Sequence, residues 1–131
     1  MRRMVPALCA FFLGGGLYGL CELLFRGRTH WTMLLAGGLC LLLLYLAGGL
    51  ELRLWQRCVL GMAVITAVEF LFGCLLNLRL GLGVWDYSGR FGNLLGQICP
   101  LFSLAWLGLS LPASLLCALL RRLFRTEIPA P

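Results

Sequence analysis

Four apolar stretches, each about as long as a membrane-crossing helix, constrain this chain more than any other feature. They cover residues 5–25, 32–50, 58–78 and 96–120. About 20 apolar residues in helical form cross the roughly 30 Å hydrocarbon core of a bilayer. The breaks between them are "RGRTHW" (26–31), "ELRLWQR" (51–57) and a longer polar stretch over residues 79–95 that contains "VWDYSGR". Lipid offers no water to unsatisfied amides, so a spanning segment must close its own hydrogen bonds as a helix. The expected fold is an all-α integral membrane protein, one domain over residues 1–131, built as a four-transmembrane-helix bundle.

Composition agrees. Hydrophobic residues make up 61% and charged residues 12% of the chain, against roughly half and a quarter in soluble domains. All 11 basic residues are arginine. Without lysine a Walker A phosphate loop cannot be assembled, and lysine Schiff-base chemistry is excluded. No cofactor is expected. The net charge of +6 reads as membrane topology rather than nucleic-acid binding.

Arginine placement gives an orientation. With the N-terminus inside, Arg2, Arg3, Arg53, Arg57, Arg121, Arg122 and Arg125 are cytoplasmic, and Arg26, Arg28, Arg79 and Arg90 lie outside. The excess predicts both termini in the cytoplasm. Arg2 and Arg3 followed by an apolar run resemble a signal peptide. The run continues to Phe25 with no A-x-A site, so a first transmembrane helix is expected instead. The seven cysteines are scattered, with no C-x-x-C pair and no cysteine–histidine cluster. They read as packing residues, and no metal site is expected.

Two carboxylates fall inside or near the apolar runs. Such groups are costly in hydrocarbon and face protein or water. Glu22 is followed at i+4 by Arg26, a spacing that allows an ion pair, and Gly15-x-x-x-Gly19 on the same stripe lets a neighbouring backbone approach. Glu69 lies deeper, on a stripe with Thr66, Gly73 and Asn77. The fourth run offers a matching row of Asn93, Gln97, Pro100, Ser103 and Ser110, with a kink expected at Pro100. These stripes predict a polar cavity open to the outside, capped by Asp86–Gln97. Asp86 would organise a turn, with Arg90 as an alternative partner for it. Trp31 and Trp85 read as membrane-boundary tryptophans, with His30 beside the first. The glutamate, Leu/Phe pair, arginine and polar loop recur in both halves, and a parallel two-hairpin repeat would explain this. Each feature also has a packing interpretation: a structural ion pair for Glu22, a helix–helix anchor for Glu69.

The segments "CELLFRGRTHWTMLLAGGLC", "AVEFLFGCLLN", "LGVWDYS" and "GNLLGQICPLFSLAW" resemble the small bacterial membrane proteins described as "putative ABC-transporter type IV", or CmpB-like. Similar segments occur in vertebrate transmembrane protein 229. The resemblance covers about residues 15–110. It implies a multi-pass protein of the bacterial cytoplasmic membrane. The family's pattern carries over to Glu22, His30, Trp31, Glu69, Asn77, Trp85, Asp86, Tyr87, Asn93 and Gln97. The candidate binding residues are Glu22, Arg26, His30, Glu69, Asn77, Trp85, Asp86, Tyr87, Asn93 and Gln97.

Three functions fit. The first is a transporter or permease component that binds a small solute or ion, working as a homodimer or with a partner membrane subunit. The second is a structural or accessory membrane subunit. The third is an outer-leaflet enzyme using Glu22, His30, Glu69 and Asp86 as acid and base, with Arg26, Arg28 and Arg90 on a phosphate. No nucleophile–base motif supports the third, and no catalytic residue is assigned.

Overall fold

The computed structural model describes residues 3–125. Arg2 of the arginine asymmetry lies outside the described residues, as does the side chain of Arg125. The elements are α1 (Met4–Arg26), α2 (Trp31–Ala47), α3 (Leu54–Gly73), a π-helical continuation of α3 at Cys74–Arg79, and α4 (Pro100–Arg125). The described residues form helices and connections, with no strand beyond one isolated bridge between Leu94 and Ile98.

Three helices are long and apolar enough to cross a bilayer: α1, α3 with its π continuation, and α4. The α2 helix has 17 residues, about 25 Å at 1.5 Å per residue. It stops short of the expected 32–50 because Gly48 and Gly49 follow Ala47, and glycine disfavours helix propagation. Each spanning helix shows leucine and phenylalanine to the outside, Phe12, Leu24, Leu71 and Leu104 among them. That surface is what lipid would cover.

Small residues set the packing. A Cβ on Gly14 would lie 2.5 Å from the Gly37 carbonyl oxygen, and one on Gly37 would lie 2.5 Å from the Tyr18 Cβ. Only hydrogen fits at either place, so α1 and α2 meet backbone to backbone, as small-residue stripes allow in membranes. Phe11 meets Gly38 and Gly19 meets Leu34; rising numbers on one helix meet falling numbers on the other, so the pair is antiparallel. The helices α3 and α4 form a second antiparallel pair, with Gly61 against Ser110 and the Thr66 hydroxyl 3.1 Å from that of Ser103. Two apolar clusters fill the interior, one around Leu41, Tyr45 and Cys117, the other around Met33, Val68 and Trp85.

The fourth helix begins at Pro100 rather than near residue 96. Asn93 and Gln97 therefore belong to the connection before α4 and not to a row along it. Pro100 occupies the first helical position, where a missing N–H costs nothing and the fixed φ helps initiation. The expected kink at Pro100 is thus a helix start, and the proline inside α4 is Pro112.

Candidate functional site

The connection from residue 80 to 99 folds back onto the helices instead of standing off them. Its first anchor is the π-helical turn. There the Leu80 amide donates to the Leu75 carbonyl at 3.0 Å, and π turns inside helices often mark functional sites. Asn77, on this turn, works in two directions: its Oδ1 accepts from the Val84 amide at 2.7 Å, and its Nδ2 donates to Gln97 Oε1 at 2.8 Å. Gln97 then donates to the Leu95 carbonyl at 2.8 Å and accepts through its own carbonyl from the Trp85 indole at 3.0 Å. Gly73 makes this seam possible. A Cβ there would lie 2.6 Å from Gln97 Oε1 and 3.0 Å from the Trp85 ring.

The rest of the loop is built from short polar turns. Asp86 Oδ1 accepts from the Ser88 amide at 2.9 Å, the Asx turn its residue type favours. Hydrogen bonds from Ser88, its hydroxyl before its amide, hold the Asp86 carboxyl below the usual aspartate range. Asn93 Nδ2 donates to the carbonyls of Ser88 and Arg90, and its Oδ1 accepts from the Gly96 amide. The Tyr87 amide donates to the Gly96 carbonyl at 2.7 Å. Arg90 does not pair with Asp86; its guanidinium lies over the Phe102 ring, 4.9 Å from the centroid.

These turns aim Tyr87 inward. Its hydroxyl donates to Glu69 Oε1 at 2.7 Å, and the Trp106 indole donates to Glu69 Oε2 at 2.8 Å. Glu69 is 7% exposed, so both oxygens of a buried carboxylate are satisfied by groups from outside its own helix. The Tyr87 ring stacks on Phe102 at 4.7 Å with 10° between planes. Burial, and after it the neighbouring Glu69, push the Tyr87 phenol above its usual range, which keeps it a donor. The ring of Tyr18 in α1 lies tilted beside that of Trp106, 6.2 Å between centroids, and within electrostatic reach of both Glu22 and Glu69.

The ion pair at the end of α1 joins the same assembly. Arg26 Nη1 lies 3.7 Å from Glu22 Oε2, and Arg26 Nη2 donates to the Val84 carbonyl at 2.7 Å. Glu22 Oε2 is buried and forms no hydrogen bond among the described residues; the cation of Arg26 is its compensation. This contact brings the first and third connections to the same end of the bundle.

Of the ten candidate residues, Glu69, Asn77, Trp85, Tyr87 and Gln97 form one bonded cluster with the loop backbone. Glu22 and Arg26 attach at Val84, while Asp86 and Asn93 shape the loop from within. His30 stands apart. It is the N-cap of α2, its Nδ1 accepting from the Thr32 amide at 3.3 Å. The two tryptophans differ: Trp31 is 67% exposed, as a boundary residue would be, whereas Trp85 is 8% exposed and belongs to the interior. Trp106, Tyr18 and Phe102 were missing from the candidates. Trp106 carried a readable signal, because an indole N–H in mid-span needs an acceptor, and Glu69 is the carboxylate at matching depth.

Below Glu69 lies a cavity of about 280 Å³ between α1, α2, α3 and α4. Its walls are mostly apolar, including Leu17, Met33, Ile65, Leu109 and Pro112, with Glu69, Tyr18 and Trp106 at one end and Cys40 on its side. The polar side chains predicted to surround open space instead bond to one another above it.

The family described as "Putative ABC-transporter type IV" matches residues 19–128. No curated protein and no solved structure matches the chain, so the likeness to vertebrate transmembrane protein 229 rests on the quoted segments alone.

Proposed function

The chain belongs to the family described as "Putative ABC-transporter type IV", and from that membership we propose that it is a transport component of a bacterial cytoplasmic membrane. In this reading α2 completes a four-span bundle, both termini are cytoplasmic, and the loop from 80 to 99 closes the outer end. The ten candidate residues serve a small solute or ion that reaches the cavity beneath Glu69. A second copy or another membrane subunit supplies the rest of the path.

One observation supports the reading above all: Glu69 is bonded at once to the loop, through Tyr87, and to α4, through Trp106. Two donors suit an ionised carboxylate, which only accepts. A cation arriving at Oε1 competes with the Tyr87 hydroxyl, and a proton there reverses the direction of that bond, so occupancy of Glu69 and closure of the loop are linked. Tyr87 is then the latch and Glu69 the coupling group.

The test is charge movement in proteoliposomes on a solid-supported membrane, challenged with steps of pH, monovalent cations, amino acids and sugars. A transient current for at least one of them is expected from the wild type and is expected to vanish in Glu69→Gln. Absence of any current, with Glu69→Gln as active in cells as the wild type, would remove the transport reading.

A structural or accessory role is the second reading. The same two bonds favour it, since a carboxylate with both oxygens satisfied also serves as an anchor that ties loop to helix.

A further inference from the structure

At the opposite end of the bundle a second cleft, of about 200 Å³, lies between the end of α2, the start of α3 and the second half of α4. Arg57 and Arg121 both line it, and both act electrostatically on Cys117 at its wall. The nearby oxygens they bond are neutral. Arg121 donates through Nε to the Tyr45 carbonyl at 3.1 Å and stacks over the Tyr45 ring at 4.7 Å; Arg57 donates to the Leu50 carbonyl at 2.8 Å. The one carboxylate–arginine pair within 4.0 Å among the described residues is Glu22–Arg26, at the other end. Gly48 lets Arg121 in, since a Cβ there would lie 2.5 Å from its Nε.

Two guanidinium charges on one cleft repel unless an anion sits between them, and each keeps unused N–H donors after its carbonyl bond. A third group lines the same space. Ser114, 8% exposed, is on the wall of the cleft. Two cations and a hydroxyl on one cleft match a phosphate group, which arginine recognises with paired donors. The mouth of the cleft carries Leu54 and Leu115, both exposed, so apolar surface continues outward from the charged floor.

We propose that this cleft is an anion site for a phosphate group, held by Arg57, Arg121 and the Ser114 hydroxyl. The phosphate arrives as the headgroup of an anionic phospholipid or as free phosphate. In the first case the acyl chains lie over Leu54 and Leu115, as in basic pockets at the edges of membrane bundles.

The full-length protein in a neutral detergent decides the matter by its thermal unfolding midpoint and by native mass spectrometry. The additions are phosphatidylglycerol, phosphatidylcholine, inorganic phosphate and, as a salt control, chloride. Phosphatidylglycerol is expected to raise the midpoint and persist as an adduct where phosphatidylcholine does not. Affinity should fall about tenfold in Arg57→Gln, the loss of one charge-assisted contact. It should fall less in Ser114→Ala and stay unchanged in Arg122→Gln, whose side chain does not line the cleft. If inorganic phosphate raises the midpoint above chloride and displaces phosphatidylglycerol, the site stands with free phosphate as an occupant. Equal responses to all four additions in the wild type overturn the proposal without any variant. So does a phosphatidylglycerol response that Arg57→Gln leaves intact.

Discussion

The indole N–H of Trp106 donates to Oε2 of Glu69 at 2.8 Å, tying the second turn of α4 to the last part of α3. A carboxylate there is tolerated because it is not alone: the indole satisfies one oxygen and Tyr87 the other. Tryptophan donates and cannot accept, so this pair has one direction.

That asymmetry separates two variants. In Glu69→Gln the amide oxygen can face Trp106, while the amide nitrogen donates to a rotated Tyr87 hydroxyl, which accepts as well as donates. The fold should therefore survive with a midpoint close to the wild type. Trp106→Phe keeps the ring contact with Tyr18 but leaves Oε2 unbonded, at a cost of about 1.5–3 kcal/mol. A midpoint for Trp106→Phe no lower than that of Glu69→Gln would show that the indole bond contributes little.

A second expectation concerns Gly73. A methyl group there meets Gln97 Oε1 at 2.6 Å and Gln97 Cβ at 2.9 Å, so Gly73→Ala must push the loop off α3. Overpacking of this kind costs about 1–3 kcal/mol. The variant should insert normally yet expose the residue 80–99 segment to protease. Gly16, whose added Cβ would meet nothing within 4 Å, is the control: Gly16→Ala should not lower stability and should leave cleavage unchanged.

Much of this was legible before the structure. Apolar length announced the helices, i,i+4 spacing announced Glu22–Arg26, and the residue type of Asp86 announced a turn. Two things were not. The start of α4 was misplaced because Asn93 and Gln97 fall at helical spacing with Ser103 and Ser110; Pro100 fits a helix start as well as a kink, and only tertiary contacts decide between them. The inward turn of Trp85 was hidden because tryptophans beside a span usually lie at the membrane boundary, and Trp85 instead uses its indole on the Gln97 carbonyl.

Orientation gives a third expectation. The arginine excess places the end that carries Ser88 outside and Glu51 inside. In a cysteine-free background, Ser88→Cys should react with a membrane-impermeant maleimide in intact cells and Glu51→Cys only after lysis. The reverse pattern would invert the topology and put the phosphate cleft on the outer face.

The Asp86 turn titrates. Its folded carboxyl value lies below the ordinary 3.8 because Ser88 bonds the charged form. A depressed value means that the turn contributes order above the unfolded value and loses it as the pH falls through the lowered folded one. The Ser88 amide resonance, followed in micelles, should shift with a midpoint under 3.8. A midpoint at or above that value would show that Ser88 does not hold the carboxylate. Asp86→Asn should keep the Ser88 amide protected, since asparagine makes the same turn, whereas Asp86→Ala should release it.

The last expectation tests the latch. Tyr87→Phe removes the hydroxyl that reaches Glu69 and keeps the ring that stacks on Phe102, so it weakens closure without dismantling the loop. A hydrogen bond to a charged group contributes about 1.5–3 kcal/mol, which converts to roughly a tenfold to hundredfold rise in the open population. Cys40 reports that population because it lines the cavity beneath Glu69. With the other six cysteines replaced, a water-soluble maleimide should label Cys40 at least about tenfold faster in Tyr87→Phe than in the parent. Glu69→Gln, which keeps a partner for Tyr87, should fall between the two. Tyr87→Ala removes the stacked ring as well and should label fastest. If Cys40 reacts at one rate in all four proteins, the cavity is reached by another route, and the bond from Tyr87 to Glu69 holds the loop without gating anything.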